Sequence, residues 1–226
     1  MAATDPAPRR DRLVDLWREL SDCRKCALAA GRTTVVFGTG DANADLMFVG
    51  EAPGFHEDQQ GKPFVGRAGK LLDQLLEGIG RTRKQCFIAN VLKCRPPGNR
   101  DPLPAEIDAC KGHLWRQVEL IEPRVVCTLG NFATKLLSDS PAGITRVRGV
   151  PQARELAGRP VFLYPIFHPA AALRTPAMLD QLRADFQAIP DLLAQEPPPL
   201  ARETVPEPAE PELAAAAAEA DQLGLF

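Results

Sequence analysis

With 226 residues, 45% of them hydrophobic, the chain can bury one generous core or two small ones. No run of eighteen apolar residues occurs and Met1 to Arg10 lacks the apolar centre of a signal peptide, so neither a membrane span nor export is expected. The formal charge of −2 is uneven: from Glu196 onward there are seven acids and one base, and subtracting these from the totals of 29 and 27 leaves 22 acids and 26 bases, a mildly basic body compatible with nucleic acid.

Arg12 to Leu20 carries Leu13, Leu16, Trp17 and Leu20 at helical spacing, which predicts an amphipathic first helix. Cys23-Arg24-Lys25-Cys26 follows. A redox C-x-x-C usually opens a helix directly after a strand; this one follows a helix and precedes Gly31-Arg32, which favours half of a metal site. Four apolar runs read as buried strands: Leu46–Val49, Gln85–Leu92, Val125–Leu129 and Pro160–Phe167. Helical patterns lie between or after them, at Lys70–Leu76, Phe132–Leu137 and Asp180–Ile189. Strands alternating with helices predict an α/β fold, a three-layer α/β/α sandwich around a central four-stranded parallel sheet. The segments after three of these strands would then face one crevice at their carboxyl ends.

Six cysteines in a cytoplasmic chain point to metal or chemistry rather than disulfides. Cys86 and Cys127 sit in strand patterns, where a lone cysteine packs as core. Cys94, just past the second strand, and Cys110, on a helix after Pro104, complete a set with Cys23 and Cys26. Four thiolates suit zinc or an iron–sulfur cluster equally well.

The stretch Gly50–Gly69, GEAPGFHEDQQGKPFVGRAG, leaves the first predicted strand as a loop built for a site, Gly50 and Gly54 permitting close backbone approach to a ligand. It is no P-loop, because Gly69-Lys70 is followed by Leu71 and position 64 is Phe64. Gly38-Thr39-Gly40 opens no dinucleotide fingerprint, since Asn43 holds the third glycine position. Instead, Gly50-Glu51-Ala52-Pro53-Gly54 with Glu57-Asp58 and Pro63-Phe64-Val65-Gly66, then Asn90 with KCRPPGNR, then His168-Pro169-Ala170-Ala171-Ala172-Leu173-Arg174, resembles the family-four uracil-DNA glycosylases over roughly residues 13–190. The resemblance implies a glycosylase-like fold and a [4Fe–4S] cluster on Cys23, Cys26, Cys94 and Cys110 that pins the first helix and the loop after the second strand. It also implies excision of uracil from single- and double-stranded DNA; a cytoplasmic, nucleoid-associated location is expected from the N-terminus instead. A related branch forms a covalent adduct through a histidine in the loop after the second strand; Arg95 to Asp101 has none, which favours turnover.

Excising a base requires turning it out of the stack into a fitted pocket. Phe64, in its glycine-rich loop, is the candidate for stacking on the base. The Asn90 carboxamide can donate to O4 and accept from N3–H of uracil, a pattern cytosine reverses. By resemblance, His168 donates to uracil O2 as negative charge develops there, and Glu51 orients water and stabilises the cationic sugar. Ala52 contributes only its backbone N–H, and Glu57 is a second acidic candidate. Lys93, Arg95, Asn99, Arg100, Arg146 and Arg148 are candidate phosphate contacts, with Leu173 a wedge and Arg174 a further phosphate contact. No lysine is placed for a Schiff base, so simple hydrolysis to an abasic site is expected.

The predicted organisation is a flexible N-terminus (1–10), a monomeric catalytic body (11–195) and a disordered Pro/Glu/Ala tail (196–226). That tail turns apolar at Gln222-Leu223-Gly224-Leu225-Phe226. Gln222, Leu223, Leu225 and Phe226 resemble the peptide by which bacterial repair enzymes dock on the replication sliding clamp, with the tail as tether. The rival readings are a non-catalytic, metal-stapled DNA-binding module recruited to the clamp and an iron–sulfur electron carrier.

Overall fold

A computed structural model describes residues 6–197, so the tail from residue 198, with its clamp-like peptide at 222–226, lies outside the described residues. In chain order these form α1 (Pro6–Ser21), β1 (Thr39–Gly40), β2 (Leu46–Gly50), α2 (Phe55–Gln60), α3 (Arg67–Glu77), β3 (Phe87–Asn90) and α4 (Pro104–Ile121). There follow β4 (Val125–Leu129), α5 (Asn131–Ser138), α6 (Ile144–Val147), β5 (Gln152–Leu156), β6 (Arg159–Ile166), α7 (Pro169–Ala172), α8 (Pro176–Gln187) and α9 (Ile189–Leu193). The sheet order is β1-β3-β2-β4-β6-β5. The four predicted strands are its parallel centre, and β1 and β5 add antiparallel edges.

Every residue of β2 and β4 is buried, as expected of a parallel sheet covered on both faces. Side chains alternate between two apolar layers. Met47, Val49, Phe87, Ala89, Val126 and Leu163 pack with leucines of α1 and α4; Leu46, Phe48, Ile88, Cys127 and Tyr164 pack with α3 and α8. Cys86 and Cys127 are fully buried in this core. The α/β/α expectation therefore holds.

The differences are local. α1 begins at Pro6 rather than Arg12, and Leu13, Leu16 and Leu20 are buried while Trp17, at the flank of their stripe, is 48% exposed. The Gly50–Gly69 loop holds a short helix, α2, between Gly54 and a left-handed Gly61, and α3 starts at Arg67. Thr39 and Gly40 of the Gly38-Thr39-Gly40 run form edge strand β1: a Cβ on Gly40 would fall 1.8 Å from the Cys86 carbonyl oxygen. The mostly polar β5 was not predicted. It forms a hairpin with β6 through Ala157 and Gly158, both at positive φ, which suits a tight two-residue turn.

Candidate active site

Parallel register sets the geometry. Gly50 pairs with Asn90, and Leu129 with Ile166, so the carboxyl ends of β2, β3, β4 and β6 align. Glu51, Asn90 and His168 thereby reach one crevice. A cavity of about 400 Å³ is lined by Glu51, Ala52, Glu57, Phe64, Asn90 and His168, with Asn99 and Arg100 at the loop after β3. A second hollow of about 600 Å³ shares Glu51 and His168 with it and adds Asp101, Asn131 and Lys135.

Phe64 is 6% exposed, packed into the α3 side of the core, yet it lines the cavity. Its backbone is left-handed, with φ 53°, an unusual state for a bulky residue that costs on the order of 1–3 kcal/mol. Arg83 holds it there. One guanidinium nitrogen donates to Pro63 O at 3.0 Å, the other to Phe64 O and Gly69 O, while Nε pairs with Asp73. Gly69 is required at this point, since a Cβ would lie 1.7 Å from Phe64 O. Glu57 braces the far side of the loop, accepting from Val65 N at 3.0 Å and Gly66 N at 3.3 Å. That contact makes Glu57 a loop brace at the cavity wall. The Phe64 ring stacks on the His168 imidazole, centroids 5.6 Å apart and planes 28° apart.

Gly50 makes room for the site's own side chains as much as for a ligand. A Cβ there would fall 2.4 Å from Asn90 Oδ1 and 2.8 Å from Phe64 Cζ. Asn90 is 2% exposed, and its Oδ1 has no hydrogen-bond partner among the described residues. A buried, unsatisfied amide oxygen at a cavity wall signals a group reserved for a ligand.

His168 Nδ1 accepts from Ala170 N at 3.1 Å, so the proton of the neutral ring sits on Nε2. Burial lowers its pKa to about 4, the nearby Glu57 carboxylate opposing part of that shift, and the imidazole is neutral at physiological pH. Burial, aided by Asp101, pushes the half-buried Glu51 carboxyl above its ordinary value. Leu92 N donates to Glu51 O at 3.0 Å and Val91 N to Gly50 O at 2.9 Å, tying the β2 loop to the segment after Asn90.

The basic run after β3 divides. Lys93 is not a phosphate contact: it is 1% exposed, and Nζ donates to Asn90 O at 2.8 Å and Gln117 Oε1 at 2.6 Å. Arg148 turns inward too, pairing with Asp185 and stacking over Phe167. Arg95 lies over the Phe55 ring and donates from Nε to Asn99 Oδ1. Arg100 forms a bidentate pair with Glu106. Arg146, Leu173 and Arg174 are exposed.

Cys23, Cys26, Cys94 and Cys110 line one small apolar cavity between the end of α1, the loop after β3 and α4. Lys93 N donates to Cys110 Sγ at 3.3 Å and Arg32 Nη1 to Cys94 Sγ at 3.6 Å, while His113 Nε2 lies 3.7 Å from Cys23 Sγ. Among the described residues no three metal-binding side chains converge as a single ion requires. Four thiols ringing one hollow form a donor set that zinc or an iron–sulfur cluster would take.

Arg83, Asp101, Asn131 and Lys135 were not anticipated. Asn131 carried a usable signal, because Gly130-Asn131 directly follows a strand's carboxyl end.

Residues 37–192 match the family model described as the uracil DNA glycosylase superfamily. The type-4 uracil-DNA glycosylase of Archaeoglobus fulgidus is 44% identical over 192 residues, 83% of this chain and 96% of that protein. That of Sulfurisphaera tokodaii is 44% identical over 187 residues, 80% and 85% of the two chains. A type-5 uracil-DNA glycosylase of Pyrobaculum aerophilum is more distant, 30% identical over 146 residues, 58% and 63% of the two chains. With strand-end residues around one cavity and matches of this extent, the chain belongs to the uracil-DNA glycosylase superfamily and to its type-4 family.

Proposed function

We propose that this chain hydrolyses the N-glycosidic bond of uracil in DNA, as a monofunctional repair glycosylase that leaves an abasic site. The Asn90 Oδ1, without a partner among the described residues and buried beside Phe64 and His168 at one cavity, carries the reading. Uracil turned out of the strand stacks on Phe64 and presents its O4 and N3–H edge to Asn90. Cytosine would leave that buried amide unpaired, and this sets the specificity. As the bond from C1′ to N1 breaks, the electron pair leaves with the base and charge gathers on O2. Neutral His168 meets it through Nε2–H. Glu51 stands where both hollows meet. Its carboxylate favours the cationic sugar and holds the water whose oxygen bonds C1′, the released proton passing to the carboxylate or to solvent. Ala52 adds its backbone N–H, and Asn99, Arg100, Leu173 and Arg174 surround the strand.

The chemistry of the four-thiol set suits a [4Fe–4S] cluster, which Cys23, Cys26, Cys94 and Cys110 would hold. When bound, such a cluster supplies iron–thiolate cross-links between the C-x-x-C segment and the two elements beside the Asn90 strand end. The catalytic body is residues 11–195, and it acts as a monomer. Its action is placed in the cytoplasm, at the nucleoid, where its DNA substrate lies. Gln222 to Phe226 docks on the sliding clamp, and a pull-down that is unchanged by deleting 222–226 would refute this.

Uracil release from single- and double-stranded oligonucleotides tests the whole, with Asn90→Ala and Glu51→Ala as controls. Retarded DNA without released base would instead identify a non-catalytic DNA-binding module. Visible thiolate-to-iron absorbance separates the cluster from zinc.

A further inference from the structure

Phe55 is 51% exposed and belongs to neither apolar layer of the core. It is the first residue of α2, directly after Gly54, a wall residue of the uracil cavity. The Arg95 guanidinium lies 5.1 Å from its ring centroid. Asn99 accepts from Arg95 Nε at 2.7 Å, and both Asn99 and Pro96 line the same cavity. Two loops from different strand ends thus place a flat aromatic and a flat cation together on the cavity rim.

Leaving a phenylalanine half in water forgoes the gain of burying it, and no core role explains the position. The pair has the chemistry of a base-stacking surface, because every nucleobase has a π-face and both phenyl and guanidinium planes stack on it. A strand whose uracil enters the cavity must carry its neighbouring nucleotides across this rim. We propose that Phe55 and Arg95 form a shelf on which the nucleobase next to the uracil in the same strand stacks. The inference rests on the uracil-excision reading above and adds a subsite to it. The shelf is sequence-tolerant, holding the strand by one face of a base rather than by its hydrogen-bonding edge. Leu173, exposed beyond α7, is a separate apolar projection and is not part of it.

The test uses the full chain and single-stranded oligonucleotides carrying 2′-fluoro-deoxyuridine, whose glycosidic bond resists cleavage, with 2-aminopurine on one side or the other. Binding of the unmodified protein should quench the probe on one side only. Phe55→Ala should abolish that quench and lower kcat/KM on normal uracil oligonucleotides roughly tenfold, the scale of one base–aromatic stack. Phe55→Trp should restore both, and Arg95→Ala should weaken both. Inhibition by free uracil should be the same in all four proteins. A Phe55→Ala protein with intact quench and unchanged kcat/KM overturns the shelf. So does one that loses free-uracil inhibition, since Phe55 would then be a prop for the cavity. If the unmodified protein releases no uracil, the excision reading fails instead, and the quench still reports on the shelf.

Discussion

Truncating Asn90 to alanine should abolish activity without weakening the fold. The Asn90 amide oxygen is buried without a partner among the described residues, a state that costs about 1–3 kcal/mol relative to an apolar replacement. Alanine removes that penalty. The space it vacates opens into the 400 Å³ cavity and leaves no sealed void, so the lost packing is worth about 1 kcal/mol. The backbone carbonyl of residue 90 keeps its bond from Lys93. Asn90→Ala should therefore be as stable as the parent or up to about 2 kcal/mol more stable, where buried substitutions usually destabilise. Release of uracil should fall by at least roughly 10²-fold, the site having lost the amide proposed to read the base edge. Urea denaturation of the two proteins, paired with single-turnover uracil release, measures both quantities. Free uracil should raise the melting temperature of the parent and leave that of the variant unchanged. A variant less stable than the parent by more than about 1 kcal/mol would refute the reasoning, because Asn90 would then belong to an internal network rather than be held for a ligand.

Arg83→Ala should release Phe64 from its left-handed conformation, costing roughly 2–4 kcal/mol in denaturant titrations and weakening free-uracil inhibition; Arg83→Lys should recover only part of either, because an ammonium cannot span the three carbonyls. The folded pKa of His168 lies below its unfolded value of 6.5, so folding excludes a proton, and stability should fall as pH drops from about 6.5 to about 4. His168→Gln should flatten that part of a pH–stability curve, and an unchanged curve would place the loss elsewhere. Activity should fall on the acid side at a higher pH than an ordinary carboxylate dictates, because Glu51 is raised; Glu51→Gln should remove the limb along with most of kcat. Cys110→Ser should abolish the visible absorbance proposed for the cluster and loosen the segment beside Lys93, seen as faster amide exchange at residues 91–94.

Strand ends made Glu51, Asn90 and His168 legible. Each directly ends or follows an apolar run, and parallel register does the rest. The four cysteines were separable from Cys86 and Cys127 because loop and strand contexts differ in the residues on either side. Phe64 was only half legible: its glycine-rich surroundings suggested exposure, yet its placement depends on Arg83, a residue distant in sequence whose bonds go to backbone carbonyls. Lys93 read as one more base in a basic run. Nothing local shows that its stem passes inward to Gln117. β5 escaped notice because an edge strand facing water on one side has no continuous apolar run to betray it.

The two edges of the sheet also bear on how the molecule behaves among its own copies. On one margin lies a strand of two residues containing a glycine that tolerates no side chain; on the other, a short polar hairpin arm closed by a tight turn. Neither presents a long flat row of free amides and carbonyls for a foreign segment to extend. Concentrated solutions of the folded chain should accordingly resist fibril seeding, and the hazard of strand exchange falls on molecules that have already lost these margins.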